Sequence, residues 1–185
     1  MATRAGGETR DRILDVAQEL FATKGYVGTT LRDIAERLGT TVAALYYHFH
    51  RKEDLLASLT SPMFTHLDSV LDRAAGLDPD ERPRRLLADL LDAMLEHRPT
   101  MTAITQDPSA LELGGLRARA QSQGMRAVEL LAPGGDELAQ LRARCAMAVL
   151  RGALDARDLS AVAAANRAVV VDAAISALQS GLPGE

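Results

Sequence analysis

The chain has no tryptophan, three tyrosines, three phenylalanines and one cysteine in 185 residues. The aromatics stop at Phe64, so stacking on a planar molecule is not expected to dominate anything the later residues bind. Cys145 alone cannot form an intrachain disulfide, which fits a reducing compartment. No apolar run approaches the roughly 18–20 residues of a membrane span. Met1 to Gly7 has no apolar core of the secretion-signal type. These absences lead us to expect a soluble, cytoplasmic protein with no membrane contact. An excess of positive charge is missing too, the net charge being −4. Residues 1–57 carry eight Lys/Arg against eight Asp/Glu, and residues 58–185 carry thirteen against seventeen. Bulk charge therefore does not advertise nucleic-acid binding, although a local basic patch is compatible with it. Nucleophile elbow, phosphate loop and paired His–Cys arrangements are lacking, which argues against an enzyme. His48-Phe49-His50 alternates as metal ligands can, but no Cys or carboxylate stands at ligand spacing. No metal or other cofactor is expected.

What the chain does have is a 3.6-residue apolar period along nearly its whole length. Ile13, Val16, Ala17, Leu20 and Phe21 form one stripe, and Gly25 follows Lys24 as a C-terminal cap would. Thr30 opens a second helix, with Asp33 at capping-box spacing, Ile34, Ala35 and Leu38 inward, and Gly39 as the stop. Thr41 caps a short third helix through Leu45 to His48. A fourth helix starts near Lys52 with Glu53 and Asp54 in its first turn, and Pro62 is expected to kink or interrupt it. Further helices are expected at 84–97, 100–106 and 110–131, separated by Asp78-Pro79-Asp80, Pro99 and Asp107-Pro108-Ser109. After Pro133-Gly134-Gly135 come two alanine-rich helices. The first is apolar on two faces, Leu138/Leu141/Cys145/Ala148/Gly152 and Ala143/Met147/Leu150/Leu154, so it should touch two neighbours. The last is expected to start with Ser160 as cap and to turn Val162, Val169, Val170, Ala173 and Leu178 inward. The pattern predicts an all-α fold of about nine helices. Residues 1–57 would form a three-helix helix-turn-helix domain, and 58–185 a helical ligand-binding and dimerisation domain.

The run Thr29-Thr30-Leu31-Arg32-Asp33-Ile34-Ala35, the turn at Gly39, Leu45-Tyr46-Tyr47-His48-Phe49 and Lys52-Glu53-Asp54-Leu55-Leu56 together resemble the N-terminal domain of the tetracycline-repressor (TetR) family. The resemblance covers residues 9–57 and implies a DNA-binding transcriptional regulator, by the family's habit a repressor. A recognition helix entering the major groove sets its N-terminal residues against base edges. Here those residues are Val42, Ala43 and Ala44, which reach thymine methyls but cannot hydrogen-bond a base. Sequence choice then leans on Thr40, Thr41, Tyr46 and DNA shape. The resemblance assigns Tyr46, Tyr47, His48 and Lys52 mainly to phosphates, with Thr29 and Thr30 as further donors. His50-Arg51 departs from the family, which has Pro and then Ser, Asp or Asn before the lysine. Arg51 is a poor cap, which should weaken that helix start by roughly 1 kcal/mol.

For the remainder, the resemblance implies a small-molecule effector and a homodimer. Met63, Phe64, His66, Leu90, Met94, His97, Met101, Gln106, Gln121, Met125 and Met147 are candidate pocket residues, suited to an irregular apolar ligand. The last two helices of each subunit would form a four-helix bundle and set two recognition helices on a palindromic operator. A regulator without an effector, and an all-helical enzyme, are the alternatives. Arg82, Arg84 and Arg85 read as a solvated basic helix end.

Overall fold

The computed structural model describes residues 2–105, 107–155 and 159–179. Among them are nine α-helices, one 3-10 helix and no strand. The α-helices are α1 Ala2–Lys24, α2 Leu31–Leu38, α3 Val42–His48, α4 Lys52–Ala75, α5 Arg82–Glu96, α6 Arg98–Thr105, α7 Leu116–Leu131, α8 Glu137–Asp155 and α9 Leu159–Gln179. Local chemistry sets most of the ends. The Thr30 hydroxyl accepts from the Asp33 amide while the Asp33 carboxylate accepts from the Thr30 amide, a complete capping box. Gly39 closes α2 in the left-handed region (φ 66°), which a Cβ would strain. Thr41 caps α3 through the Ala44 amide at 3.2 Å.

Three expectations change along the chain. Pro62 does not interrupt α4, which runs unbroken through it. Pro62 stands on the exposed side, where water can satisfy the carbonyl that its missing N–H leaves open. The helix expected at 110–131 is two elements, a 3-10 helix Pro108–Glu112 and then α7. Gly114 and Gly115, both at positive φ, break the run between them. The weak cap at Arg51 is compensated, because the Asp54 carboxylate accepts from the Arg51 amide at 3.0 Å.

The chain folds as two compact units. The first joins Met1–Phe64 to His97–Arg119. Its core is Ile13, Ala17, Leu20, Phe21, Ile34, Ala35, Leu45, Phe49, Leu55 and Leu56, all buried. Burying each large side chain contributes about 1.5–3 kcal/mol. Within this unit α6 packs on α1, and the Gln18 amide donates to the buried Thr100 hydroxyl at 2.6 Å. This compact unit therefore extends past residue 57 and takes in α6 and the 3-10 helix.

The second unit joins Thr65–Glu96 to Ala120–Glu185. Leu86, Leu87, Leu90, Leu91 and Met94 of α5 are buried in it, together with Ala143, Met147 and Leu150 of α8. Among the described side chains of α9 the buried ones are Val171 and Ala174, whereas Val169 and Ala173 are exposed, contrary to expectation. An alanine- and valine-rich helix is apolar all round, so its pattern does not single out one inward face. Ser160 lies inside α9, and the side chains of Ser160 and Val162 fall outside the described residues. The arginine cluster is paired as well as solvated, Arg84 and Arg85 being exposed. Arg82 donates to the Ala74 and Leu77 carbonyls at the end of α4, Arg84 pairs with Asp172, and Arg85 with Asp89.

Candidate nucleic-acid interface

The outward side of α3 has little to offer except to a partner. Leu45 and Phe49 are buried and fix the helix, and Val42 and His48 are half-buried. Thr40, Thr41, Ala43 and Ala44 are exposed beside Tyr46 (48%) and Tyr47 (86%). The Tyr47 and His48 rings meet edge to face, centroids 5.2 Å apart. Two tyrosines standing out of a short helix with small residues at its start give a narrow ridge with hydroxyls at its tips, a shape that fits a groove.

The turn that carries the start of α2 is held from three sides. The Thr29 hydroxyl donates back to the Gly25 carbonyl at 2.8 Å and the Leu20 carbonyl at 3.2 Å. Thr29 is wholly buried, so it is not an available phosphate donor as the sequence suggested. It ties the turn to the end of α1. The Lys52 ammonium donates to the Tyr26 (2.7 Å) and Thr29 (2.9 Å) carbonyls and lies 4.1 Å above the Tyr26 ring. Burial pushes its pKa down from the ordinary lysine value. Two of its three donors thus face inward, leaving one for a phosphate. Third, the Asp107 carboxylate, at the start of the 3-10 helix, accepts from the Val27 amide at 2.6 Å. Hydrogen bonds from the Ser109 hydroxyl first, then from the Val27 amide, hold Asp107 below the usual carboxylate range. Thr30 is exposed, but its hydroxyl is engaged with Asp33. Lys24 first, then Thr30, hold the Asp33 carboxyl below its ordinary value.

Tyr26, Asp107 and Arg10 were not anticipated as parts of this frame. Tyr26 is buried with its ring 5.2 Å from that of Phe21, and burial, then Glu53, push its hydroxyl far above the ordinary value. Arg10 lies 4.8 Å above the Phe49 ring and donates to the Ser58 hydroxyl at 2.9 Å. Asp107 carried a local signal, the Asp-Pro-Ser start. Its hold on Val27 spans 80 positions and left none.

The candidate pocket residues divide between the units. Met63, Phe64, His97 and Met101 belong to the first, the first two buried and the others half-buried. Arg119 lies 4.8 Å above the Phe64 ring. Leu90, Met94 and Met147 are buried in the second unit, and His66 is half-buried, its Nδ1 3.5 Å from Glu96. Gln121 and Met125 (69%) are exposed and line no interior, contrary to expectation. Residues 120–131 of α7 face inward through Gln123, which donates to Asp68, and buried Ala127 and Leu131, leaving 121 and 125 on the outer side. Gln106 lies outside the described residues.

The family model for bacterial regulatory proteins of the tetR family matches residues 13–59. Over 91 residues the chain is 34% identical to the probable HTH-type transcriptional regulator ArpR of Pseudomonas putida, covering 48% of this chain and 43% of that one. Over 102 residues it is 34% identical to the HTH-type transcriptional repressor KstR2 of Mycolicibacterium smegmatis, covering 53% and 48%. The chain thus spans about half the length of the curated relatives it matches. The crystal structure of the regulator PfmR of Thermus thermophilus superposes with a TM-score of 0.72 at 26% identity, over 95% of this chain and 98% of that one.

Proposed function

We propose that this chain, whose residues 13–59 match the family model for bacterial regulatory proteins of the tetR family, is a transcription regulator of that family and not an enzyme, and that it represses transcription by gripping a palindromic operator as a homodimer. The observation that carries this reading is the ridge on α3: Thr40, Thr41, Ala43, Ala44, Tyr46 and Tyr47 exposed above a locked Leu45 and Phe49. Ala43 and Ala44 meet thymine methyls, Thr40, Thr41 and Tyr46 supply the few polar contacts to bases, and Tyr47, His48 and the third donor of Lys52 hold phosphates. Sequence choice therefore rests heavily on DNA shape.

The dimer forms through α8 and α9. Leu138, Leu141, Cys145, Ala148 and Gly152 of α8 are exposed along one face, and Val169 and Ala173 of α9 are exposed as well. Such a run of small and apolar residues suits a four-helix bundle of two subunits. A two-fold axis then sets the half-sites roughly 34–36 Å apart. A small, mainly apolar effector is taken up by the second unit, where Leu90, Met94 and Met147 are buried and half-buried His66 offers a polar contact. Helix α4 runs from one unit into the other and so carries the signal. A coupling of about 1–3 kcal/mol gives a 5–150-fold loss of operator affinity. The protein works in the cytoplasm, and among the described residues no helix is long and apolar enough to cross a membrane.

Selection of bound fragments from a random DNA pool tests this reading. The expected product is a palindrome bound by two chains and released on adding an apolar metabolite. Failure to retain any DNA at low salt overturns the DNA-binding reading. A selected site without two-fold symmetry overturns the dimer, and indifference to a broad metabolite panel overturns the effector.

A further inference from the structure

A shallow groove of about 170 Å³ runs beside the recognition helix, lined by Arg12 and Ile13 of α1, Leu38 and Thr40 around the turn, and Ala44 and His48 of α3. Its floor is apolar and buried at Ile13, while Arg12 and Thr40 stand exposed on its rim. The cations around it are otherwise engaged. Among the described residues from Gly7 to Lys52, Arg10 reaches Ser58, Lys24 reaches Asp33, Arg32 reaches Glu36 and Arg37 reaches Glu19. Arg51 pairs with Asp54, and Lys52 donates to two carbonyls. Arg12 has no acceptor among the described residues, and neither Glu8 nor Asp15, at helical spacing on α1, pairs with it. The Thr40 hydroxyl is likewise without a partner there.

A guanidinium kept open at the rim of a concavity, with a hydroxyl and an imidazole beside it, is matched to a phosphodiester, which a planar fork binds through two parallel hydrogen bonds. The groove is also continuous with the outward side of α3, because Thr40 and Ala44 belong to both. We propose that this groove seats a DNA backbone phosphate at the edge of the half-site, with Arg12 as its principal ligand and Thr40 and His48 completing the grip. The inference rests on the DNA-binding reading above. It adds a contact from α1, outside the helix-turn-helix, and so fixes the angle at which α3 enters the groove.

The test uses the full chain and the operator selected from the random pool. Arg12→Ala is expected to weaken binding about tenfold for every sequence, the effect of losing one charge-assisted hydrogen-bonded contact. It should lower the slope of log affinity against log salt by about one. The melting temperature should not move, because Arg12 holds no partner among the described residues. Replacing the flanking phosphates singly by uncharged methylphosphonates should reveal one position that weakens the wild type and leaves Arg12→Ala unaffected. An unchanged salt slope in Arg12→Ala, with the wild type binding normally, overturns the groove proposal alone. Inorganic phosphate that raises the melting temperature through Arg12, without any change in operator affinity on substitution, also overturns it, in favour of a free anion. A wild type that binds no DNA overturns the underlying reading instead.

Discussion

Tyr47 and Lys52 lie within one loop of each other and stand in opposite situations. Tyr47 is 86% exposed, and its ring meets that of the neighbouring His48. Lys52 has its ammonium inside the frame, on the Tyr26 and Thr29 carbonyls. Tyr47→Ala should therefore leave unfolding within about 0.5 kcal/mol of the wild type, as surface changes do, while weakening binding to all DNA sequences alike. Lys52→Ala should weaken binding and also cost about 1–2 kcal/mol of stability, because it removes two hydrogen bonds from a charged donor. Denaturant unfolding beside salt titrations of operator binding separates the two. Equal stability of both variants would remove the clamp role given to Lys52. The same distinction explains Thr29 and Thr30. Adjacent in sequence and alike in chemistry, one is sealed against α1 and the other sits at the surface as a cap. Only the three-dimensional course of the turn decides which.

Among the elements, helix ends were the most legible feature of the sequence, because capping is settled within a few residues. Thr30 with Asp33, Gly39 and Thr41 are all local pairings or local backbone needs. The ridge on α3 was legible for the same reason, since Leu45 and Phe49 repeat at helical spacing and leave Tyr46 and Tyr47 outward. What joins elements distant in sequence was not. Asp107 reads as the start of a helix, which it is, but its second oxygen holds the Val27 amide across 80 positions. The faces of α9 were misread because valine and alanine surround that helix. Asp107 is the clearest test of such long-range joints. Its carboxyl titrates lower in the folded protein than in the unfolded chain, where about 3.9 is usual. The stability it contributes is then complete above that value and lost as pH falls through the depressed one. Asp107→Ala should speed hydrogen exchange at the Val27 amide at neutral pH. In the wild type the same amide should become exchangeable, beyond the intrinsic rate change, only on acidification past the carboxylate range. Unchanged protection of Val27 in Asp107→Ala would mean that the turn is held without it.

For the whole molecule, the proposed dimer is the arrangement that converts a weak single contact into operator binding. The exposed row on α8 centres on Leu141, which is 52% exposed. Leu141→Arg should leave each chain folded, with unchanged helical signal, and yield monomers by light scattering. Operator affinity should collapse, because one half-site contact then binds without its partner. A stable dimer in this variant would place the interface elsewhere.

The division into two units bears on how such a regulator can be recombined. The unit that carries α3 is not a contiguous headpiece, since residues 97–119 return to pack with the first 64. A chimera that grafts residues 1–57 onto a foreign sensor would leave behind Thr100, the partner of Gln18, and Asp107, the partner of Val27. Such a graft should express poorly unless the donor's α6 and 3-10 segment travel with it, and soluble yield with and without that second piece would show it. The proposed operator specificity should thus be transferable only as two pieces of chain, exchanged together.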